Sequence, residues 1–254
     1  MKKFKTAIIS AIFNFLVING YLAASDFKTP KLTEHAQDLI ETLKIGPLEE
    51  RIRAIEECGI NGYIPCYYTL VSLLNDPAPV IRKKSAISLG LLRNKNAIPH
   101  LEKAMESEKD ESVQIDIIRS LWFFKNKESA VFAEKYLSSN SEKLRFIAAK
   151  VLTTVTDDSL YDKIGERLKV ENSDIVKVML LHASLKIKKT SANVTELIKY
   201  FYSTQTNVRL YAARAAGDLK IKEALLDLKK ALILEPDVET RFEFHKAYNE
   251  TFIN

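Results

Sequence analysis

The chain repeats a pattern every 31 or 32 residues, and such a chain is constrained to stack its units in a row. The plainest copy begins at Asp76-Pro77, runs through Val80, Ile81 and Arg82, and continues with Ala86, Leu89 and Gly90 to Ala97-Ile98-Pro99 and Leu101. With Arg82 as the anchor, the same position recurs at Arg51, Gln114, Arg145, Lys177, Arg209 and Arg241. The residue before it is apolar in Ile81, Val113, Leu144, Val176 and Val208, and Thr240 is the exception. A unit of this length holds one supersecondary element whose apolar face is buried only against its neighbours. The product is a long surface, and it does not by itself build a catalytic pocket.

Each unit reads as two helices. Ile98, Leu101 and Met105 fall on one helical face, a polar break follows, and Val113, Ile117, Ile118 and Leu121 mark a second helix. The breaks carry helix-start chemistry at Asp76-Pro77, Ser173-Asp174, Asn207 and Pro236-Asp237. No strand is expected. The β-branched residues are spaced at three and four, and Asn61-Gly62 lies between two helical patterns. Only 7 glycines and 7 prolines in 254 residues suit packed helices joined by short turns. The last pair, with Lys222, Asp227, Lys229, Glu239 and Glu243, is expected to turn a polar side outward as a cap.

The arrangement from Asp76 to Gly90 resembles the HEAT repeat, and more narrowly the short HEAT-like unit of bacterial proteins, including the phycobilisome-lyase type. Arg209, Ala212, Ala213, Ala216 and Gly217 repeat it well, and Arg145, Ala148, Ala149 and Leu152 in part. The copy at Lys177 departs from it, with Leu181 for the Ala and Leu185 for the Gly. The resemblance covers roughly residues 32–250. It implies an all-α fold, an α-solenoid or superhelix of about seven helix pairs, with the second helices on the concave side. It also implies that the anchor Arg ties adjacent units to an acid at the inter-helix turn. Asp76, Glu108, Glu171 and Glu235 stand six residues before an anchor, but Ser139 and Ser203 interrupt that ladder. No particular activity is implied.

The first residues have another character. Met1-Lys2-Lys3-Phe4-Lys5 is followed by a mostly apolar stretch from Thr6 to Leu22 and by Ala23-Ala24-Ser25. This is the three-part form of a secretory signal peptide. The expected organisation is a signal peptide over 1–25, a linker over 26–31 and the repeats over 32–254, in an exported protein of the periplasm or outside the cell. Removing residues 1–25 takes away Lys2, Lys3 and Lys5 and no acid, which lowers the net charge from +5 to +2. So small an excess argues against nucleic acid as a partner. Cys58 and Cys66 flank a turn in the first repeats. In an oxidising compartment they are candidates for a disulfide across a hairpin; as a buried pair of small residues they would simply line it.

Catalytic motifs are scarce. The four histidines, His35, His100, His182 and His245, form no metal-binding motif, and no Gly-rich phosphate loop or Gly-x-Ser-x-Gly occurs. The iron-binding hydroxylase among HEAT-repeat proteins carries His-Glu pairs, and this chain has no His-Glu dipeptide. No catalytic residue, metal or cofactor is therefore assigned. The informative pattern lies on the second helices. On the face opposite the buried arc, five residues after the anchor, stand Arg119, Lys150, His182, Arg214 and Lys246; two after it stand Met179 and Tyr211. Stacked, they would form one basic row with apolar neighbours, suited to an acidic or amphipathic segment of a protein partner. The expected function is a non-catalytic interaction scaffold of the bacterial envelope. The alternative implied by the resemblance is a cofactor-handling enzyme or chaperone of the phycobilin-lyase type.

Overall fold

The computed structural model describes residues 34–253, so the expected signal peptide and linker lie outside the described residues. The chain divides into the units Met1–Asp38 and Leu39–Asn254, and the repeats occupy the second. The described residues form fourteen α-helices and no strand. In chain order these are α1 (Glu34–Ile45), α2 (Leu48–Ile60), α3 (Tyr67–Leu73), α4 (Pro79–Leu91), α5 (Ile98–Ser107), α6 (Glu111–Leu121) and α7 (Lys127–Glu134). They continue with α8 (Glu142–Leu152), α9 (Tyr161–Val170), α10 (Asp174–Ile187), α11 (Ser191–Lys199), α12 (Thr206–Asp218), α13 (Leu225–Leu234) and α14 (Val238–Phe252). The even-numbered helices, the second of each pair, pack in sequence from α2 to α14, which is the stacked solenoid that the repeat period predicts. None of the described helices is long and apolar enough to cross a membrane.

Local chemistry explains the breaks. Most first helices are entered through a 3₁₀ turn, such as Lys95–Ala97, where the Asn94 side chain accepts from the Asn96 backbone. Asp110 caps α6 by accepting from Ser112 and Val113, and Asp237 caps α14 by accepting from Thr240. The second helices end on a left-handed residue eleven positions after the anchor in three repeats: Arg93, Lys125 and Lys220. Eight positions after the anchor the helices approach closely. A Cβ on Gly90 would lie 2.6 Å from the Ser120 carbonyl oxygen on α6, so glycine is required there.

The anchor arginine holds the pairs together through a repeated clamp. Arg82 Nε and Nη2 donate to both Glu108 carboxylate oxygens at 2.7 and 3.0 Å, while Nη1 donates to the Asp76 carbonyl at 2.9 Å. Arg145 does the same with Glu171 and the Ser139 carbonyl, and Arg209 with Glu235 and the Ser203 carbonyl. Arg51 reaches Asp76 at 2.5 Å. Each carboxylate belongs to the repeat after its arginine, and it also accepts from backbone N–H groups of its own turn, as Glu171 does from Asn172 and Ser173. This explains the interruptions at Ser139 and Ser203. The anchors one repeat earlier are Gln114 and Lys177, the two that are not arginine. Gln114 turns instead to the Glu108 carbonyl at 2.7 Å, and Lys177 lies 3.8 Å from Asp174 on its own helix.

The cap is polar only in part. His245 and Asn249 stand one repeat after Ala213 and Gly217 and lie 3.2 Å apart, but Val238, Phe242 and Phe252 are exposed beside them. In the hairpin at the other end, the Cys58 and Cys66 sulfurs are in bonding contact with Cα atoms 6.2 Å apart, a separation that a disulfide accommodates.

Glu171 is the deepest member of the clamps, with its side chain fully buried between Arg145 and Arg167. Burial pushes its pKa up, but hydrogen bonds from both arginines and from the Ser173 backbone outweigh that and lower it to about 2. Glu171→Gln leaves two arginines without a carboxylate and should cost about 3–5 kcal/mol at pH 7 in denaturant unfolding. A depressed carboxylate contributes stability that is complete above its unfolded value, near 4.5, and is lost as pH falls towards about 2. The wild-type protein should therefore lose stability across that window, and the loss should be shallower in Glu171→Gln. Equal slopes in the two proteins would place the acid sensitivity elsewhere.

Candidate functional site

The second helices line a groove, and its curvature is visible in contacts that skip a helix. The Phe146 ring on α8 meets the Tyr211 ring on α12 at 5.3 Å, and Lys150 Nζ lies 5.7 Å from the centre of that ring. Both contacts pass over α10, so the face carrying them is concave. This curvature corrects one part of the expected row. Met179 and His182, on α10 beneath the contacts, are 2% and 8% exposed, so they are floor of the groove and not solvated surface. A helix wheel treats each helix alone and does not register side chains closing over it from the repeats on either side.

Two cavities lie in the groove and share Tyr211. One, of about 510 Å³, has walls of Ile115, Phe146, Ile147 and Ile175, with Arg119 at its margin. The other, of about 460 Å³, brings together Lys150, His182, Arg214, Met179 and Tyr211 from the expected set. It adds Trp122, Lys125, Lys186 and Asp218, which the row did not include. Lys186 and Asp218 stand nine residues after their anchors, a position on the same outward face, so the repeat pattern did carry a signal for them. Trp122 and Lys125 follow the last residue of α6, where a helical wheel no longer applies. Lys246 lines neither cavity and lies 3.9 Å from Glu250.

The charges in the groove are not equivalent. Arg119 is hydrogen-bonded to Asp116 on its own helix. Arg214 Nη2 donates to Glu243 at 2.8 Å, and its guanidinium lies 5.6 Å from the Tyr211 ring centre. Lys125, Lys150 and Lys186, by contrast, have no carboxylate within ion-pair distance among the described residues. Lys186 Nζ donates to the Thr153 carbonyl at 2.6 Å, and Lys125 Nζ sits 5.3 Å from the Trp122 ring centre. Burial lowers the Lys150 pKa, and the nearby Arg214 and Arg119 charges lower it further. Burial also lowers Lys186, with Asp218 opposing the shift. Burial and then Lys186 bring His182 down to about 4, so it is neutral at pH 7 and its 3.9 Å approach to Asp218 is not an ion pair there. The compartment thus holds an excess of positive charge, partly desolvated at Lys150 and Lys186, an environment that favours an incoming anion. No group of three or more His, Cys, Asp or Glu side chains among the described residues is placed to hold a metal ion.

Comparison with known proteins bears on the fold. The HEAT repeats family matches over residues 36–122. No curated protein matches the sequence. Among solved structures, the complex of CpcE and CpcF of phycocyanin lyase from a Nostoc species is similar with a TM-score of 0.61 at 18% identity, over 89% of this chain and 97% of that one. Human deoxyhypusine hydroxylase is similar with a TM-score of 0.41 at 14% identity, over 87% of this chain and 96% of that one. Residues 36–122 therefore match HEAT repeats, and the helix pairs continue the same stack to α14 as one HEAT-like α-solenoid.

Proposed function

We propose that the protein is a non-catalytic interaction scaffold that binds an acidic or amphipathic segment of a protein partner in its concave groove. The observation that carries this reading is the set of three lysines, Lys125, Lys150 and Lys186, in one compartment with no carboxylate within ion-pair distance among the described residues, beside Tyr211 and Trp122. Unpaired cations next to aromatic rings supply both long-range attraction and a desolvated contact. The reading also includes export. It is supported by the basic, apolar and small-residue order of positions 1–25 and by the bonding contact of Cys58 and Cys66, which suits an oxidising compartment. The alternative, handling of a tetrapyrrole-like cofactor, draws on the likeness to the phycocyanin lyase complex, which is one of fold.

The deciding experiment is capture of partners by the native protein from an envelope extract, with absorbance spectra to detect a bound chromophore. A protein partner should be retained at low salt and released as salt rises. Lys150→Glu should slow association and weaken the salt dependence, and Tyr211→Ala should speed dissociation, costing about 1–2 kcal/mol. Met179→Ala, in the groove floor, should instead lower stability by about 2–5 kcal/mol. A chromophore that co-purifies in stoichiometric amount would favour the alternative.

Export has its own test. Mass spectrometry of the native protein should find a chain that begins near Ser25 or Asp26 and is lighter by two hydrogens before reduction than after it. An intact Met1 in a cytoplasmic fraction, with both thiols free, would overturn this part of the reading.

A further inference from the structure

The two cavities differ in chemistry, and their order along the helices is fixed. The wall residues of the first, Ile115, Phe146 and Ile175, lie in the earlier parts of α6, α8 and α10. Its charged lining is of both signs: Asp116 accepts from Arg119 and lies 3.7 Å from Lys83, and Glu142 stands next to Lys143 in the chain. The second compartment holds its cations at or beyond the ends of the same helices: Lys125 after α6, Lys150 near the end of α8 and Lys186 near the end of α10. Arg214 there is already neutralised by Glu243, and Asp218 is the one acid in the wall. Tyr211 faces both compartments and joins them.

From this order we infer that the groove is a two-point reader for an extended peptide segment, seating an apolar side chain between Phe146 and Ile175 and one or two carboxylates between Lys125, Lys150 and Lys186. The inference rests on the groove reading above and specifies its ligand. Phe146 and Lys150 are one helical turn apart, and Ile175 and Lys186 are three turns apart, so the two anchors are separated by roughly 10 Å along the helix axes. An extended chain covers that in about three residues. The charge excess identifies the second anchor as anionic. The aliphatic and aromatic walls of Ile115, Phe146, Ile147 and Ile175 identify the first as apolar. A short acidic run alone would fill only one site, and so would a purely apolar one.

Trp122 makes the test direct. It is the chain's single tryptophan, it is partly exposed, and it lines the cationic compartment. The purified protein is titrated with a blocked hexapeptide of one phenylalanine, three alanines and two glutamates, and tryptophan fluorescence is followed. The expected result is saturable binding that weakens at least tenfold when the glutamates become glutamines, and at least tenfold when the phenylalanine becomes alanine. Lys150→Gln should weaken the acidic peptide about tenfold and leave the glutamine peptide unchanged. Lys150 is in no hydrogen bond or ion pair among the described residues, so this variant loses only its contact with the Tyr211 ring, and a melting curve recorded beside the titration shows that it is folded.

Equal affinity for the acidic and glutamine peptides would overturn the inference. So would equal affinity after loss of the phenylalanine, or inorganic phosphate competing as well as the peptide, which would make this a small-anion site. If no peptide binds while Lys150→Glu still abolishes capture of the protein partner, the inference fails and the groove reading stands. If the groove variants change neither peptide binding nor partner capture, both fail.

Discussion

A single interaction sets the geometry of the array: an arginine near the start of one second helix, clamped on a carboxylate in the inter-helix turn of the next pair. The carboxylate serves two structures at once. It accepts from the backbone of its own turn, where a helix is about to begin, and it receives the guanidinium of the preceding repeat. A lysine could not substitute, because the clamp uses both edges of a planar fork, one on the carboxylate and one on the carbonyls of the arginine's own turn. At Lys177 the clamp is gone and the ammonium stays on its own helix. Burial of such a pair is costly unless every donor is used, and the multiple bonds to each guanidinium meet that condition.

The clamps are absent at two junctions, those that follow Gln114 and Lys177, between α6 and α8 and between α10 and α12. The groove lies across these junctions. Across the second of them the concave side chains supply direct contact: Phe146 and Lys150 on α8 with Tyr211 on α12, over a floor of Met179 and His182. The chemistry that distinguishes this solenoid is concentrated where the repeat consensus is weakest, in the copy around Lys177 with Leu181 and Leu185 in place of Ala and Gly.

Much of this was legible in the sequence because a repeat fold makes each position a comparison. The helix pairs and the all-α class follow from period and spacing, and the tie of the anchor arginines to adjacent units follows from the resemblance to HEAT repeats. The clamp's partner was half legible: the acids were visible, and so were the gaps at Ser139 and Ser203. What the linear pattern obscured is that each acid answers the arginine one repeat back, which turns two apparent defects into matched losses with Gln114 and Lys177. The groove was legible by position and not by environment. Lys150, Arg214 and Tyr211 do line it, whereas Met179 and His182 are buried by side chains from helices about sixty residues apart in the chain. Curvature decides such burial, and curvature is a property of the stack that no single repeat encodes.

The electrostatics of the groove bear on the kind of chemistry it supports. A general acid or base at neutral pH works best with a pKa close to the working pH. His182 is displaced to about 4 by burial and by Lys186, far from that range, and it has no hydrogen bond to an orienting carboxylate. Lys150 and Lys186 are shifted as well. Their pKa values are lowered in Lys150 and Lys186 because burial and neighbouring cations disfavour the charged form. An anion placed among them relieves that penalty, since it favours the same charged forms that burial opposes. On the proposed reading, it is this differential interaction, more than the size of either cavity, that would favour an acidic partner on the concave face.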